Sequence, residues 1–273
     1  MKTILVATDF SDIARNAINY ACEIANKSKA KLILFHVYHE PVFLAEIPIA
    51  LSMEEIKKDC MDCLMDIKND INKEHGQLVV ECACREGLPV DEINLFAKEN
   101  GVDMIVMGME GTSYLSEKLI GNITTSLLKK ACCPVLAIDK HVKFKNIKNI
   151  ALASDYNETE NELVLGPLKK IAEIFKSKVF VLNIVRELET ITTIGKAVEG
   201  IKINHVLESV NHSFHYSKSE DVVDGINDFV DEHKIDMVVM IPRAHSVLYN
   251  MFHESNSKKM AFHTNVPLLA LHE

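Results

Sequence analysis

Three glycines at a fixed spacing are the residues of this sequence best suited to holding a phosphate group. They form the pattern Gly-x2-Gly-x9-Gly at positions 108, 111 and 121. Because glycine lacks a Cβ atom, its backbone can approach an anion closely and adopt positive φ angles. The free N–H groups and the dipole at the start of a following helix favour the same anion. The predicted phosphate contacts are Gly108, Gly111, Gly121, Asn122, Ile123 and Thr124.

A carboxylate stands at the end of the first apolar run of the chain. Ala7, Thr8 and Asp9 close this run, and Asp9 could accept a hydrogen bond from an adenine amino group or a ribose hydroxyl. Two further apolar runs end near Val37 and Met107. Ala7, Thr8, Asp9, Val37 and Met107 are therefore predicted ligand contacts, with Asp9 on the adenine or ribose side.

The apolar runs that carry these residues are short, rich in Val, Ile and Leu, and do not alternate with polar residues. Such runs are typical of strands buried on both faces of a parallel sheet. Helical patterns stand between them, for example at residues 13–25 after a predicted N-cap at Ser11. Strands that alternate with helices predict a doubly wound, Rossmann-like α/β fold. In such a fold, ligands bind at the carboxyl ends of the strands where the strand order reverses.

The chain contains an internal repeat of this pattern. Four apolar blocks at residues 3–9, 31–37, 102–107 and 133–138 recur in the same order at residues 149–155, 178–184, 235–240 and 266–271. The repeat predicts two tandem domains, residues 1–142 and 143–273, each with a mostly parallel five-stranded sheet. The last strand of each domain would by itself be an exposed apolar edge. We therefore expect these two strands to pair inside the chain as a pseudo-dimer, and the association of two chains stays open.

The glycine spacing resembles that of the ATP-binding subclass of the universal stress protein family. The stretch Ala-Thr-Asp-Phe-Ser at residues 7–11 and Cys-Pro-Val-Leu at residues 133–136 are similar to that family too. The resemblance implies that Asp9 and the backbone near Val37 contact adenine, and that the glycine loop holds ribose and phosphates. The implied ligand is ATP, with or without Mg²⁺, and the implied role is stress-response regulation. The family pattern has Ser or Thr after the last glycine, where this chain has Asn122.

The second copy of the repeat has lost the features that would hold a nucleotide. Counted back from the following proline, Ile241, Ala244 and Glu254 stand where the first copy has its three glycines. A carboxylate at the phosphate position repels an anion. Asp155 still matches Asp9, but we expect a nucleotide in the first domain only.

Cysteine and histidine patterns do not predict a metal site. The 7 cysteines all lie in the first half, and Cys60-x2-Cys63 has no partner pair at zinc spacing. Cys82 and Cys84, in a predicted strand, are taken to point in different directions. Eight of the 12 histidines lie after residue 200. Satisfied surface or core histidines are favoured over ligands, and they could make the second domain pH-sensitive near neutrality.

Known catalytic signatures do not stand out in the sequence. It lacks the Gly-Lys-Ser/Thr of a P-loop and the local signature of a Ser-His-Asp or Cys-His centre. We therefore favour a regulatory nucleotide-binding module without catalytic residues, acting on an unidentified protein partner. Two alternatives stay open: a weak ATP-hydrolysing or autophosphorylating enzyme that uses Glu110, and a nucleotide-independent scaffold or small-ligand binder.

Composition excludes several other classes of function. The formal net charge of -9 argues against a general nucleic-acid or anionic-membrane surface. No apolar stretch approaches the roughly 18 residues of a membrane span. The apolar start of the chain is too short for a signal peptide, so we expect a cytoplasmic protein.

Overall fold

The computed structural model describes residues 1–39, 52–109, 122–155, 161–185, 193–242 and 266–272, which form ten strands and seven helices. The strands are β1 (Thr3–Ala7), β2 (Lys31–Tyr38), β3 (Val80–Glu86), β4 (Met104–Met109), β5 (Val135–Asp139), β6 (Asn149–Ala153), β7 (Lys178–Val185), β8 (His212–Lys218), β9 (Met237–Met240) and β10 (Leu268–Ala270). The helices are α1 (Asp12–Ser28), α2 (Met53–Glu74), α3 (Pro89–Glu99), α4 (Asn122–Lys130), α5 (Glu162–Phe175), α6 (Thr193–Val206) and α7 (Val222–His233).

All ten strands belong to one sheet, in the order β3-β2-β1-β4-β5-β10-β9-β6-β7-β8. Neighbouring strands are parallel except β5 and β10, which run antiparallel. Read from its own first strand, each half has the same order. This confirms the predicted α/β fold with two doubly wound, mostly parallel halves joined as an intramolecular pseudo-dimer.

The strands form where apolar side chains must be covered on both faces of the sheet. In β1, Ile4 and Val6 pack into the core on one face, and Leu5 and Ala7 pack into the core on the other. None of these four residues is more than 9% exposed. This two-sided burial explains why the sequence shows continuous apolar runs instead of alternation.

Helix ends follow the capping chemistry of the sequence. Ser11 begins α1, and its Oγ accepts a hydrogen bond from the N–H of Ala14 at 3.2 Å. Ser52 and Glu55 form a reciprocal capping box at the start of α2. Among the residues that the structure describes, no helix combines the length and apolar character that a membrane crossing requires.

The two halves meet through the pairing of β5 with β10. Leu268 lies opposite Ala137, Leu269 opposite Leu136, and Ala270 opposite Val135. All six residues are fully buried. The apolar edge that each half would expose by itself is thereby removed from water.

The join between the halves, residues 140–148, is part of the core. Ile147 is fully buried, and the Phe144 ring lies between Tyr20 of α1 and Phe175 of α5, with centroid distances of 5.0 and 6.2 Å. The side-chain amide of Asn16 donates to the carbonyl of Val142 at 2.8 Å. The join therefore holds the two halves in contact and does not act as a loose tether.

An aspartate anchors the first strand of each half in the same way. Asp103 Oδ2 accepts hydrogen bonds from the backbone N–H groups of Lys2 and Thr3 at 2.6 and 3.0 Å. Asp236 Oδ2 accepts from the N–H groups of residues 148 and 149 at 2.8 and 2.9 Å. Burial raises the pKa of the Asp103 carboxyl, but the two N–H donors outweigh burial and leave the pKa below its ordinary value.

The seven cysteines are all free thiols. Burial raises the pKa of the Cys22 thiol to about 12. The interpretation that Cys82 and Cys84 point in different directions is wrong, because residues two apart in a strand share a face. Both thiols face α2 and contact the carbonyls of Leu64 and Lys57, respectively.

Replacing Phe144 by Ala should destabilise the whole chain, because the ring contacts both halves. The expected loss in the free energy of unfolding is about 2–3 kcal/mol, somewhat below that of a fully buried phenylalanine. Chemical denaturation followed by circular dichroism measures it. Lys145→Ala, at an exposed position of the same join, should change the stability by less than about 0.5 kcal/mol. Equal effects of the two changes would contradict a core role for the join.

Replacing Asp103 by Asn should cost about 1–3 kcal/mol at pH 7, since a charged acceptor of two N–H groups is lost. A carboxyl with a lowered folded-state pKa stabilises the protein above its unfolded pKa of about 3.9. That contribution disappears as the pH falls through the folded pKa. The difference between wild type and variant should therefore shrink below about pH 4. Asp62→Asn, which removes an exposed carboxyl of α2, is the charge-matched control and should show neither effect.

Candidate functional site

The predicted site residues of β1 and β4 meet where the strand order of the N-terminal half reverses. β1 lies between β2 and β4, and Ala7 is directly opposite Met107 in the parallel pairing. Chain segments leave β1 toward one side of the sheet and reach β4 on the other. Such a switch point leaves a crevice outside the carboxyl ends of the two strands.

Thr8 uses its polar groups to build the turn after β1. Its N–H donates to the carbonyl of Phe35 at 3.0 Å, and its Oγ1 accepts from the N–H of Phe10 at 3.0 Å. Its carbonyl accepts from Nδ1 of His36 at 2.8 Å. Thr8 is 7% exposed. Its role in this structure is to shape the turn that presents the next residue.

Asp9 is the exposed carboxylate of that turn. Its Oδ1 accepts from the N–H and the Oγ of Ser11 at 3.1 and 2.6 Å. Phe10, the intervening residue, has a left-handed backbone with φ of 67°, which is uncommon for a residue with a side chain. The turn thus holds one oxygen of Asp9 in place at the switch point.

His36 is a residue that the sequence reasoning did not select. Besides its hydrogen bond to Thr8, its ring packs on Phe10 with centroids 4.5 Å apart. In the C-terminal half, Asn183 occupies the matching position and donates to the carbonyl of Ser154 at 2.8 Å. The signal was available in the repeat alignment, because both positions carry an N–H donor directly before the predicted adenine-contacting position of β2 or its counterpart.

Packing against α1 by itself requires a glycine at position 108. A Cβ atom at this position would lie 2.7 Å from Cγ2 of Ile13, and 3.0 and 3.1 Å from the backbone carbon and oxygen of that residue. The missing side chain therefore admits the first turn of α1. Close approach of a phosphate is not needed to explain it.

Helix α4 begins beside the end of β4. Its first residue is Asn122, and the next residue, Ile123, is 38% exposed. Thr124 is buried, and its Oγ1 donates to the carbonyl of Gly108 at 3.1 Å, which ties the first turn of α4 to the strand. Gly111, Gly121 and Glu110, and the side chain of Asn122, lie outside the described residues.

Comparison with known families identifies the N-terminal half. A family model described as "Universal stress protein family" matches residues 1–139. The chain belongs to the universal stress protein family.

Related proteins and structures agree with this assignment. A universal stress protein of Methanocaldococcus jannaschii is 32% identical over 145 residues, which cover 52% of this chain and 84% of that protein. One of Bacillus subtilis is 31% identical over 145 residues, covering 50% of this chain and 97% of that protein. The crystal structure of a universal stress protein from Archaeoglobus fulgidus covers 99% of this chain and 96% of its own, with a TM-score of 0.73 at 17% identity. That last likeness extends the fold to both halves.

The described residues that were predicted to contact a nucleotide carry no positive side chain. None of the predicted contacts is Lys or Arg. Arg85, at the end of β3, forms ion pairs with Glu92 and Glu99 and lies 4.8 Å above the ring of Phe96. Among the described residues, an anion at this edge would find backbone N–H groups as its partners, above all those at the start of α4.

The C-terminal half of this universal stress protein repeats the geometry but not the glycines. The N–H of Ser154 donates to the carbonyl of Leu182 at 2.9 Å, as Thr8 does to Phe35. Ile241, at the position of Gly108, is 4% exposed and belongs to the core. Ala244 and Glu254 lie outside the described residues.

Elsewhere in the described chain, neither a metal site nor an anion-selective groove is found. The described residues contain no group of three or more His, Cys, Asp or Glu side chains placed to hold a metal ion. A groove of about 520 Å³ lies between α5 and α6, lined by Lys169 and Lys202 but also by Glu162 and Glu208. Its mixed charge does not select an anion.

Replacing Gly108 by Ala should destabilise the protein by about 1–3 kcal/mol, because the added methyl group collides with α1. Thermal or urea unfolding measures the loss. Gly76→Ala is the matched control, since a Cβ there meets only the carbonyl of Asn72 at an ordinary 3.5 Å. If both changes were equally tolerated, the close contact between Gly108 and Ile13 would not be a constraint on the fold.

Proposed function

We propose that the N-terminal half binds an adenine nucleotide, ATP with or without Mg²⁺, at the switch point between β1 and β4. On this proposal the protein is a stress-responsive regulatory protein of the cytoplasm. Its nucleotide-bound and empty forms present different surfaces to a protein partner. The C-terminal half does not bind a nucleotide.

One observation supports the proposal: the turn that holds Asp9 and the start of α4 follow the carboxyl ends of two directly paired strands, β1 and β4. Asp9 follows β1, and α4 is tied to the end of β4 by the hydrogen bond from Thr124 to Gly108. A carboxylate suits the donor groups of adenine and ribose, and a helix N-terminus suits phosphates. The two ends of a nucleotide thus have complementary partners on the two strands that border the switch point.

Most of the predicted contacts then have a defined part, and Thr8, Gly108 and Thr124 shape the backbone that presents them. Asp9 accepts from the amino or hydroxyl groups of the nucleoside, next to the backbone around Ala7 and Val37. Met107 and Ile123 border the crevice with apolar surface. Gly111, Gly121 and Asn122 hold the ribose and phosphates, as the family resemblance implies.

A regulatory role suits this chemistry better than catalysis. Phosphoryl transfer is accelerated by cations and a positioned base around the transferred group. The predicted contacts supply backbone N–H groups and hydroxyls but no lysine or arginine. Such a site holds a nucleotide without stabilising the charge that develops during transfer.

Asp9→Ala should weaken ATP binding by about 10- to 100-fold, the range expected for losing hydrogen bonds to a charged acceptor. Isothermal titration calorimetry with ATP, with and without Mg²⁺, measures it. Asp155→Ala changes the matching residue of the C-terminal half and should leave affinity and stoichiometry at the wild-type values. Gly111→Val should abolish binding while circular dichroism stays unchanged.

The proposal fails if wild-type protein binds no adenine nucleotide at millimolar concentration, or if affinity survives both Asp9→Ala and Gly111→Val. A phosphate-release assay with Mg²⁺ decides between a regulator and a weak ATPase. Turnover that is lost in Glu110→Ala would favour the enzyme. Binding without turnover favours the regulator.

A further inference from the structure

Two histidines of the C-terminal half lie in one aromatic cluster. We call His215 of β8, His233 of α7, Phe180 of β7 and Phe229 of α7 the histidine corner. The two imidazole centroids are 5.2 Å apart. His233 stacks on Phe180 at 5.5 Å and contacts Phe229 at 4.0 Å, while His215 lies 5.2 and 5.3 Å from the same two rings. These rings form the contact of α7 with the outermost two strands of the C-terminal half.

The surroundings of His215 are poorly suited to a proton. Phe180 and Phe229 are 8% and 5% exposed, so the corner is largely apolar. Burial lowers the pKa of His215, and the nearby charges of His233 and Lys178 lower it further. Glu232 acts in the opposite direction. Ser213, which is not ionisable, shares a hydrogen bond of 2.8 Å with Nε2 of His215.

The aromatic rings stabilise the positive charge of a protonated His215 only weakly. A cation can be stabilised above an aromatic face. The ammonium group of Lys178 already lies 4.4 Å from the centroid of Phe180. A second positive charge beside that ring would be repelled by the first.

The matching corner of the N-terminal half contains no histidine. His215 lies opposite Leu182 in the β7–β8 pairing, and Ala83 lies opposite Phe35 in the β2–β3 pairing. Asn100 stands after α3, where His233 ends α7, and its side-chain amide donates to the carbonyl of Phe96 at 2.9 Å. The two halves share a fold, so the histidines are a feature added to one of them.

We propose that the histidine corner is an acid-responsive element that loosens α7 and β8 from β7 when His215 takes up a proton. β8 has only β7 as a neighbour in the described sheet, so the opening can stay local. In the opened corner His215 leaves the two phenylalanine rings and the charges of His233 and Lys178, and so binds a proton more readily than in the closed one. The closed corner is therefore stable above the ordinary histidine pKa of about 6.5 and loses stability as the pH falls below it.

This property belongs to the half in which no nucleotide is expected, and it does not depend on nucleotide binding. On this proposal the C-terminal half responds to acidification, whereas the N-terminal half responds to a ligand. The opened corner would expose the apolar face of α7, which is a change that a partner could detect.

Hydrogen exchange measured by mass spectrometry on the full chain between pH 7.5 and 5.5 tests the proposal. After correction for the intrinsic pH dependence of exchange, protection of β8 and α7 should fall with pH. The slope should approach one proton per opening event. β3 and α3 are the internal control and should keep their protection. The proposal is overturned if β8 and α7 show no pH dependence, or if β3 and α3 lose protection equally.

Two variants identify the responsible side chain. His215→Phe keeps a ring between Phe180 and Phe229 but cannot be protonated, so the pH dependence should disappear. His233→Asn introduces the residue of the N-terminal half and removes a neighbouring charge that lowers the pKa of His215. The dependence should therefore become weaker and level off at a higher pH than in wild type. A full wild-type response in His215→Phe would overturn the assignment. Circular dichroism at pH 7.5 verifies that both variants are folded.

Discussion

The antiparallel contact between β5 and β10 is the interaction on which the rest of the molecule depends. Three residue pairs, all fully buried, turn two five-stranded halves into one sheet. Without this contact each half would present an unpaired apolar edge, which is a template for aggregation. The Phe144 ring of the join then packs between Tyr20 of α1 and Phe175 of α5, and so links helices of the two halves. The same arrangement places His272, which follows β10, where its Nε2 donates to the carbonyl of Leu128 in α4. The C-terminal half thereby supports the helix whose first turn borders the proposed nucleotide site.

The repeated fold creates the same crevice twice, and side chains decide which copy can use it. Both halves tie the end of their first strand to the second by a backbone hydrogen bond and by a side-chain N–H donor, His36 or Asn183. At the end of the fourth strand the halves differ, because Gly108 admits α1 whereas Ile241 belongs to the core. A fold of this kind fixes where a ligand could lie, but the residues at that place determine its chemistry. The two halves are free to diverge because their shared sheet supplies the stability of both.

The sequence reasoning was accurate wherever burial imposes a pattern and less so where contacts decide. The alternation of apolar runs and helices predicted the doubly wound sheets, since a strand covered on both faces must be apolar throughout. It also selected Thr8 and Gly108 as ligand contacts, which stay predictions. The structure shows that the polar groups of Thr8 also build its own turn and that Gly108 packs against Ile13. From the sequence alone, a ligand-contacting role and a structural role cannot be distinguished for Thr8 or for Gly108. Their structural partners, His36 and Ile13, are distant from them in the chain. The predicted contribution of Gly111 and Gly121 stays a prediction.

The sequence by itself determined the fold class, the division into two repeats and the pairing of their last strands. All three follow from which residues must leave water, and burial is recorded locally in residue type. Only the tertiary structure decided that His36 and Asn183 perform the same task, that the join is a core element, and that His215 meets His233. These outcomes depend on side chains from separate strands and helices arriving at one place. The packing of helices on the sheet brings these side chains into contact, and no local sequence pattern predicts which of them will meet.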